Sequence, residues 1–304
     1  MKFILSAILA SLTLMSISGQ VITQLGKENM NIPRGIKPEK KTPVTSVPVA
    51  VDTTGVYFTL VDSAQACINA QQWDLAQKYL RQAISTEPDN PNNSLLLSNI
   101  ATMQRFQGQY AEAIRNYTMA LDMTPQAVTL LLNRAALYTT IDSLSLAEAD
   151  FKRVCDLDPT NTEARYSLGM LAVKKQDFKQ AENYFNQIKR INPNSGLYNE
   201  GMGMVHKANG NYNKAAQCLS EVIKAHPDPA LLANRADCYL MCKQLNNAEE
   251  DIRNALAMTP DDPYLYVLRA KLNKLRFNRE DLERDIKLAV AHGLDRKTVE
   301  DLLK

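Results

Sequence analysis

From residue 57 onward the small, large and polar positions fall into columns that repeat about every 34 residues, with prolines marking the period. Pro88, Pro125, Pro159, Pro193, Pro227 and Pro260 are separated by 37, 34, 34, 34 and 33 residues. Twelve residues before each stands an alanine: Ala76, Ala113, Ala147, Ala181, Ala215 and Ala248. Twenty-four before, the residue is again small, from Ala64 through Gly169 and Gly203 to Ala236. Eight before, it is large and apolar: Leu80, Tyr117, Phe151, Phe185, Leu219 and Ile252. A fourth column, fifteen before, runs from Trp73 and Tyr110 to Leu245. Small residues let two helix backbones approach and large ones fill the space beside them, so each period predicts an antiparallel helix pair. Gly108 and Gly210 sit mid-unit, where the first helix must stop and turn. Each proline stands where the second helix must end.

One such hairpin cannot bury its apolar face alone, so neighbours must stack. Six full units are expected over 57–90, 94–127, 128–161, 162–195, 196–229 and 229–262, with Pro91 to Asn93 as a small insertion. A degenerate seventh unit keeps Ala270, Ile286 and Ala289 in column but has Leu294 in place of the proline. Asp295 is placed to cap a last helix whose Val299, Leu302 and Leu303 would close the open end of the core. These columns resemble the tetratricopeptide repeat family over about Tyr57 to Leu294. The resemblance implies an all-α fold, a right-handed α-solenoid of stacked antiparallel helix pairs with a C-terminal capping helix, over residues 55–304. Arg134 and Asp150, Arg235 and Asp251, and Arg269 and Asp285 are each sixteen apart, at equal distances either side of the inter-helix turn. Antiparallel packing predicts a salt bridge within the repeat at each.

The chain's amino end differs. Lys2 followed by the apolar run Phe3 to Met15 and the small residues Ser16-Ile17-Ser18-Gly19 reads as a signal peptide over 1–19, implying an exported, periplasmic or secreted protein. The run is too short for a membrane helix, and no integral membrane segment is expected in the mature chain. From 20 to 54, Pro33, Pro38, Pro43 and Pro48 recur among lysines and threonines, the mark of an extended tether.

A net charge of +2 excludes a bulk polyanion binder, so no nucleic acid partner is expected. Five cysteines make no disulfide framework, although one pair, such as Cys218 with Cys238, could bridge in an oxidising compartment. Cys238 and Cys242 share a helix face and His206 lies in the same helix of the preceding unit, a weak metal constellation better read as core thiols. His206, His226 and His292 meet no nucleophile at a catalytic spacing, and no phosphate loop or dinucleotide fingerprint is present. The expectation is no enzyme, no cofactor and no metal.

The family resemblance implies a non-catalytic protein–protein interaction scaffold whose first helices line a concave groove for a partner protein or peptide. The alternative is a subunit of an envelope nutrient or glycan uptake complex, or a non-enzymatic ligand receptor. The family's carboxylate-gripping groove is similar to the runs starting Asn133-Arg134 and Asn234-Arg235. The family's groove also has Lys and Asn in the preceding first helix and Lys and Arg in the following one; those slots hold Ser98, Thr102, Tyr166 and Met170 around the first run and Glu200, Met204, Val267 and Lys271 around the second, which disfavours that ligand. Carried onto this chain, the concave positions give Asn99, Asn133 and Asn234 at one recurring slot, where each amide could bond an extended backbone. Leu132, Tyr166, Met170, Val173 and Met204 make the middle apolar, with Lys174, Lys207, Lys271 and Lys274 towards the carboxyl half. Candidate partner-binding residues are therefore Asn99, Asn133, Tyr166, Met170, Met204, Lys207 and Asn234, for an apolar segment with an acidic stretch lying across repeats three to five. Some of these side chains could instead pack between neighbouring first helices.

Overall fold

The computed structural model describes residues 53–304; the leader expected over 1–19 and nearly all of the tether expected over 20–54 lie outside them. Among the described residues there are fifteen helices and no strand. The helices form two compact units that part between Pro159 and Thr160. The first contains three hairpins: α1 (Thr53–Asn69) with α2 (Trp73–Thr86), α3 (Asn93–Phe106) with α4 (Tyr110–Met123), and α5 (Val128–Thr140) with α6 (Leu144–Leu157). The second contains four: α7 (Thr162–Lys174) with α8 (Phe178–Ile191), α9 (Gly196–Ala208) with α10 (Tyr212–Ala225), α11 (Pro229–Met241) with α12 (Leu245–Met258), and α13 (Pro263–Leu275) with α14 (Arg279–Ala291). A short α15 (Arg296–Leu302) closes the chain. Among the described residues no helix is long and apolar enough to cross a membrane.

The repeat columns account for the packing. All six column alanines of the second helices are fully buried, and the large column residues beside them are at most 4% exposed. In each of the six full repeats the proline follows its second helix by two residues, since proline has no N–H to continue the ladder. Every inter-helix turn is built alike. The N–H of Gln72, Gln109, Ser143, Asp177, Asn211, Gln244 or Asn278 bonds the carbonyl five residues back, at 2.8–2.9 Å. The residue before it takes a positive φ, the signature of a Schellman stop. Glycine fills that position only at Gly108 and Gly210; Gln71, Asp142, Gln176, Lys243 and Phe277 adopt it without glycine's freedom.

All three expected salt bridges form. Arg134 meets Asp150 with two parallel bonds of 2.8 Å, and Arg235 meets Asp251 with bonds of 2.8 and 2.7 Å. Arg269 reaches one oxygen of Asp285 while Asn273 donates to the other at 2.9 Å. The spare guanidinium nitrogens tie backward to the preceding second helix, at Thr118 and Ser220. Because the three aspartates are buried, these arginines are engaged in the fold and not free to meet a ligand. At the carboxyl end Asp295 accepts from the N–H of Thr298 at 2.9 Å, and Val299 is buried against Ala270, Ile286 and Ala289, as the capping role requires.

Candidate functional site: the layer of first helices

Within each unit, first helices pack on their second helices and also touch first helices of adjoining repeats: α3 on α5, α7 on α9, and α11 on α13. That contact creates a layer in which equivalent side chains of successive repeats adjoin. In the second unit the layer carries two polar groups of residues. The Tyr166 hydroxyl donates to Glu200 Oε1 at 2.6 Å, across one repeat. Burial pushes the Glu200 carboxyl up, Tyr166 offsets part of that, and Asp228 adds to the rise. One repeat further, Lys207 Nζ lies 2.9 Å from Asp237 Oδ2 and 2.9 Å from Asn234 Oδ1, while Lys271 Nζ stands 3.4 Å from Asp237 Oδ1. Burial alone would raise the Asp237 carboxyl, but Lys207 and Lys271 overcome it and hold it down at about 2. Two cations around one carboxylate leave a net positive charge in this part of the layer.

In the first unit the polar side chains of α3 bond chiefly to its own second helix, α4. Thr102 and Tyr117 share a hydrogen bond of 2.8 Å, and Asn116 donates to Gln104 at 2.7 Å. Asn99 differs: it is 1% exposed and its Nδ2 has no hydrogen-bond partner. Such a donor normally costs about 1–3 kcal/mol when left unmet. Leu95, one helical turn earlier on α3 and so on the same face, is 39% exposed.

The candidate residues divide accordingly. Tyr166, Met170 and Met204 are buried in one apolar cluster with Val173, Phe185 and Val205, so they pack between α7, α8 and α9, the packing role the sequence leaves open beside docking. Asn99, Asn133 and Asn234 are at most 2% exposed. Asn234 spends its amide within the fold, donating to the Ala230 carbonyl at 3.0 Å and accepting from Lys207. The approach of Lys207 and Lys271 to Asn234 and Asp237 is what sequence reasoning missed. Lys207 and Lys271 were expected to face a partner, Lys271 at one of the family's slots, whereas both reach Asp237 within the fold. The charges alone, a lysine thirty residues before and another thirty-four after Asp237, were the available signal.

The thiols offer little chemistry. No two of the five cysteines are joined by a disulfide, and Cys218 and Cys238 are not bridged. Burial pushes the Cys238 thiol up to about 12, which keeps it protonated and unreactive. Among the described residues no group of three or more His, Cys, Asp or Glu side chains is arranged to hold a metal ion.

Family models described as tetratricopeptide repeat match residues 57–126, 142–204, and both 99–162 and 201–263. The crystal structure of a tetratricopeptide repeat protein from Parabacteroides merdae is 31% identical, with a TM-score of 0.72 over 82% of this chain and 98% of that one. The chain belongs to the tetratricopeptide repeat family. Among curated relatives, the mitochondrial import receptor subunit TOM34 of Rattus norvegicus is 26% identical over 229 residues, covering 61% of this chain and 73% of that protein. PilW, described as a type IV pilus biogenesis factor, shares the fold at 17% identity and a TM-score of 0.59, over 69% of this chain and 98% of its own. Tetratricopeptide repeat proteins generally mediate protein–protein interaction, and the layer of first helices is where this chain's polar side chains meet across repeats.

Proposed function

We propose that the chain is an exported, non-catalytic scaffold that binds an extended peptide segment of a partner protein along its first helices. The single observation that carries this reading is Asn99. A buried amide donor without a partner is destabilising, and a peptide carbonyl is the acceptor that would complete it once the surface beside Leu95 parts to admit the segment. Leu95 on the same face supplies an exposed apolar contact beside it. In the second unit, the net positive group at Lys207, Asp237 and Lys271 favours an acidic stretch in whatever segment lies there. The signal-like leader in residues 1–19 supports export, and the import-receptor name of one relative is compatible with binding a protein segment.

The test is Asn99→Leu, which keeps the branched shape and removes the orphan donor. It should leave the fold as stable as before or more so, by up to about 1–2 kcal/mol, because an unmet donor is gone. Partner capture, measured by cross-linking in intact cells and mass spectrometry of the adduct, should fall at least tenfold. A variant that folds and captures the same neighbour undiminished overturns the assignment.

A further inference from the structure

One cation position of the repeat is matched by an acid in the second unit and left unmatched in the first. Lys207 stands four residues after the small column residue Gly203 of α9, and it pairs with Asp237, the residue after the column alanine Ala236 of α11. It also donates to Asn234, two residues before that alanine, at 2.9 Å. In the first unit Arg105 stands four residues after Ala101 of α3, and Asn133 two before Ala135 of α5. The residue after Ala135 is Ala136, so the aspartate has no counterpart. Neither α3 nor α5 contains an acidic residue. No carboxylate among the described residues pairs with Arg105, and its Nη2 is buried without a hydrogen-bond partner. A guanidinium nitrogen left so is costly. The Tyr117 hydroxyl, which feels the Arg105 charge, is bonded to Thr102, and Asp74 at the neighbouring turn accepts from Gln107 at 2.8 Å. Arg105 and Ala136 are both partly exposed, so a ligand can reach them from outside the core.

We propose that Arg105, oriented by Asn133, is a carboxylate-binding subsite: a carboxylate of the partner segment takes, beside Ala136, the place that Asp237 takes beside Lys207 in the second unit. The guanidinium presents parallel donors that match the two oxygens of a carboxylate. Asn133 offers the acceptor that Asn234 offers to Lys207. Because the subsite lies about 9 Å along α3 from Asn99, it rests on the reading of these helices as a peptide groove and names one chemical group of the peptide. It is distinct from the family's carboxylate-gripping slots, which in α3 hold Ser98 and Thr102. The carboxylate comes from an Asp or Glu side chain or from the end of the partner chain.

Two experiments test it. Ala136→Asp supplies the missing carboxylate within the chain, and Ala136→Asn is its neutral match in shape. In the full-length protein the aspartate should melt roughly 2–4 °C above the asparagine, and the difference should vanish in an Arg105→Gln background. No difference, or one that survives without the guanidinium, overturns the geometry. The second experiment passes short peptide pools, randomised around one fixed position, over immobilised full-length protein. One pool carries Glu there and a terminal amide, one Gln and an amide, and one Gln and a free terminal carboxylate. The wild type should retain the Glu pool or the free-acid pool about tenfold over the neutral one, and the pool retained identifies the source of the carboxylate. Arg105→Gln and Ala136→Asp should each abolish most of that preference. Asn99→Leu should lower retention of all pools alike and leave the preference, so failure of the groove and failure of the subsite are told apart. A preference that Arg105→Gln leaves whole belongs to Lys207 and Lys271 and overturns the subsite. Equal retention of the three pools overturns it too, while retention of none contradicts the groove beneath it.

Discussion

Gly201→Ala should destabilise the chain although alanine is the better helix former. Gly201 lies inside α9, where the substitution alone would contribute about 1 kcal/mol through helix propensity. A Cβ built there meets the Phe185 ring at Cγ, Cδ1 and Cε1, far inside normal contact. The ring cannot retreat: it is fully buried, and on its other side it rests against Gly169, where a Cβ would stand 2.5 Å from Cε1 and 2.6 Å from Cζ. Phe185 is thus held between two glycines of successive first helices. Overpacking at such a site costs typically 1–3 kcal/mol, and the absence of slack argues for the upper end. The net expectation is a loss of about 2 kcal/mol, or a fall of about 4–8 °C in the melting midpoint followed by circular dichroism. Gly196→Ala is the control, because its Cβ would meet only Val222 Cγ1 at 3.4 Å, and it should change stability by less than about 0.5 kcal/mol. Combining Gly201→Ala with Phe185→Leu should be no worse than Phe185→Leu alone, since the new methyl enters space the ring vacates. If Gly201→Ala raises the midpoint by its propensity alone, the ring does not sit between these helices and the stacking of α7, α8 and α9 is misdescribed.

Two further outcomes follow from the charged side chains. Arg235→Leu should cost about 3 kcal/mol in urea unfolding, because it strands the Asp251 carboxylate, whose side chain is 3% exposed; adding Asp251→Leu should recover most of it, and a single-variant loss under 1 kcal/mol would refute the buried-pair reading. Asp237 is lowered from 3.8 to about 2, so it contributes stability above its ordinary value that is lost as pH falls through that window. Acid titration of the wild type should show that loss, worth about 2 kcal/mol, and Asp237→Asn should flatten it; an unchanged profile would contradict the Lys207–Asp237–Lys271 cluster.

The hairpins and their ends were legible because seven copies of one unit repeat the same demands. Each column alanine marks a backbone approach, and each proline a helix end, so a pattern too weak in one repeat becomes decisive in six. The Arg–Asp pairs were legible for a related reason: symmetric distance from a turn determines which residues face each other within one hairpin. Contacts between repeats were not. Whether Lys207 reaches Asn234, or Tyr166 reaches Glu200, depends on the stagger of adjoining first helices, and the period does not specify it. The break between Pro159 and Thr160 has no mark in the repeat spacing either, which stays at 34 on both sides. Concave positions carried over by resemblance proved mostly interior here, because Met170 and Met204 sit where the large Phe185 ring and the small Gly169 and Gly201 draw the first helices onto the second.

The scaffold reading is tested most directly by placing a photo-activatable benzophenone side chain at Leu95, on a first helix beside Asn99, and separately at Met119, exposed at 52% on the second helix α4. Irradiated in intact cells, the probe at position 95 should give one discrete adduct that disappears when Asn99→Leu is added, and the probe at position 119 should not give it. An adduct formed equally from both positions, or only from 119, would contradict a partner held along the first helices.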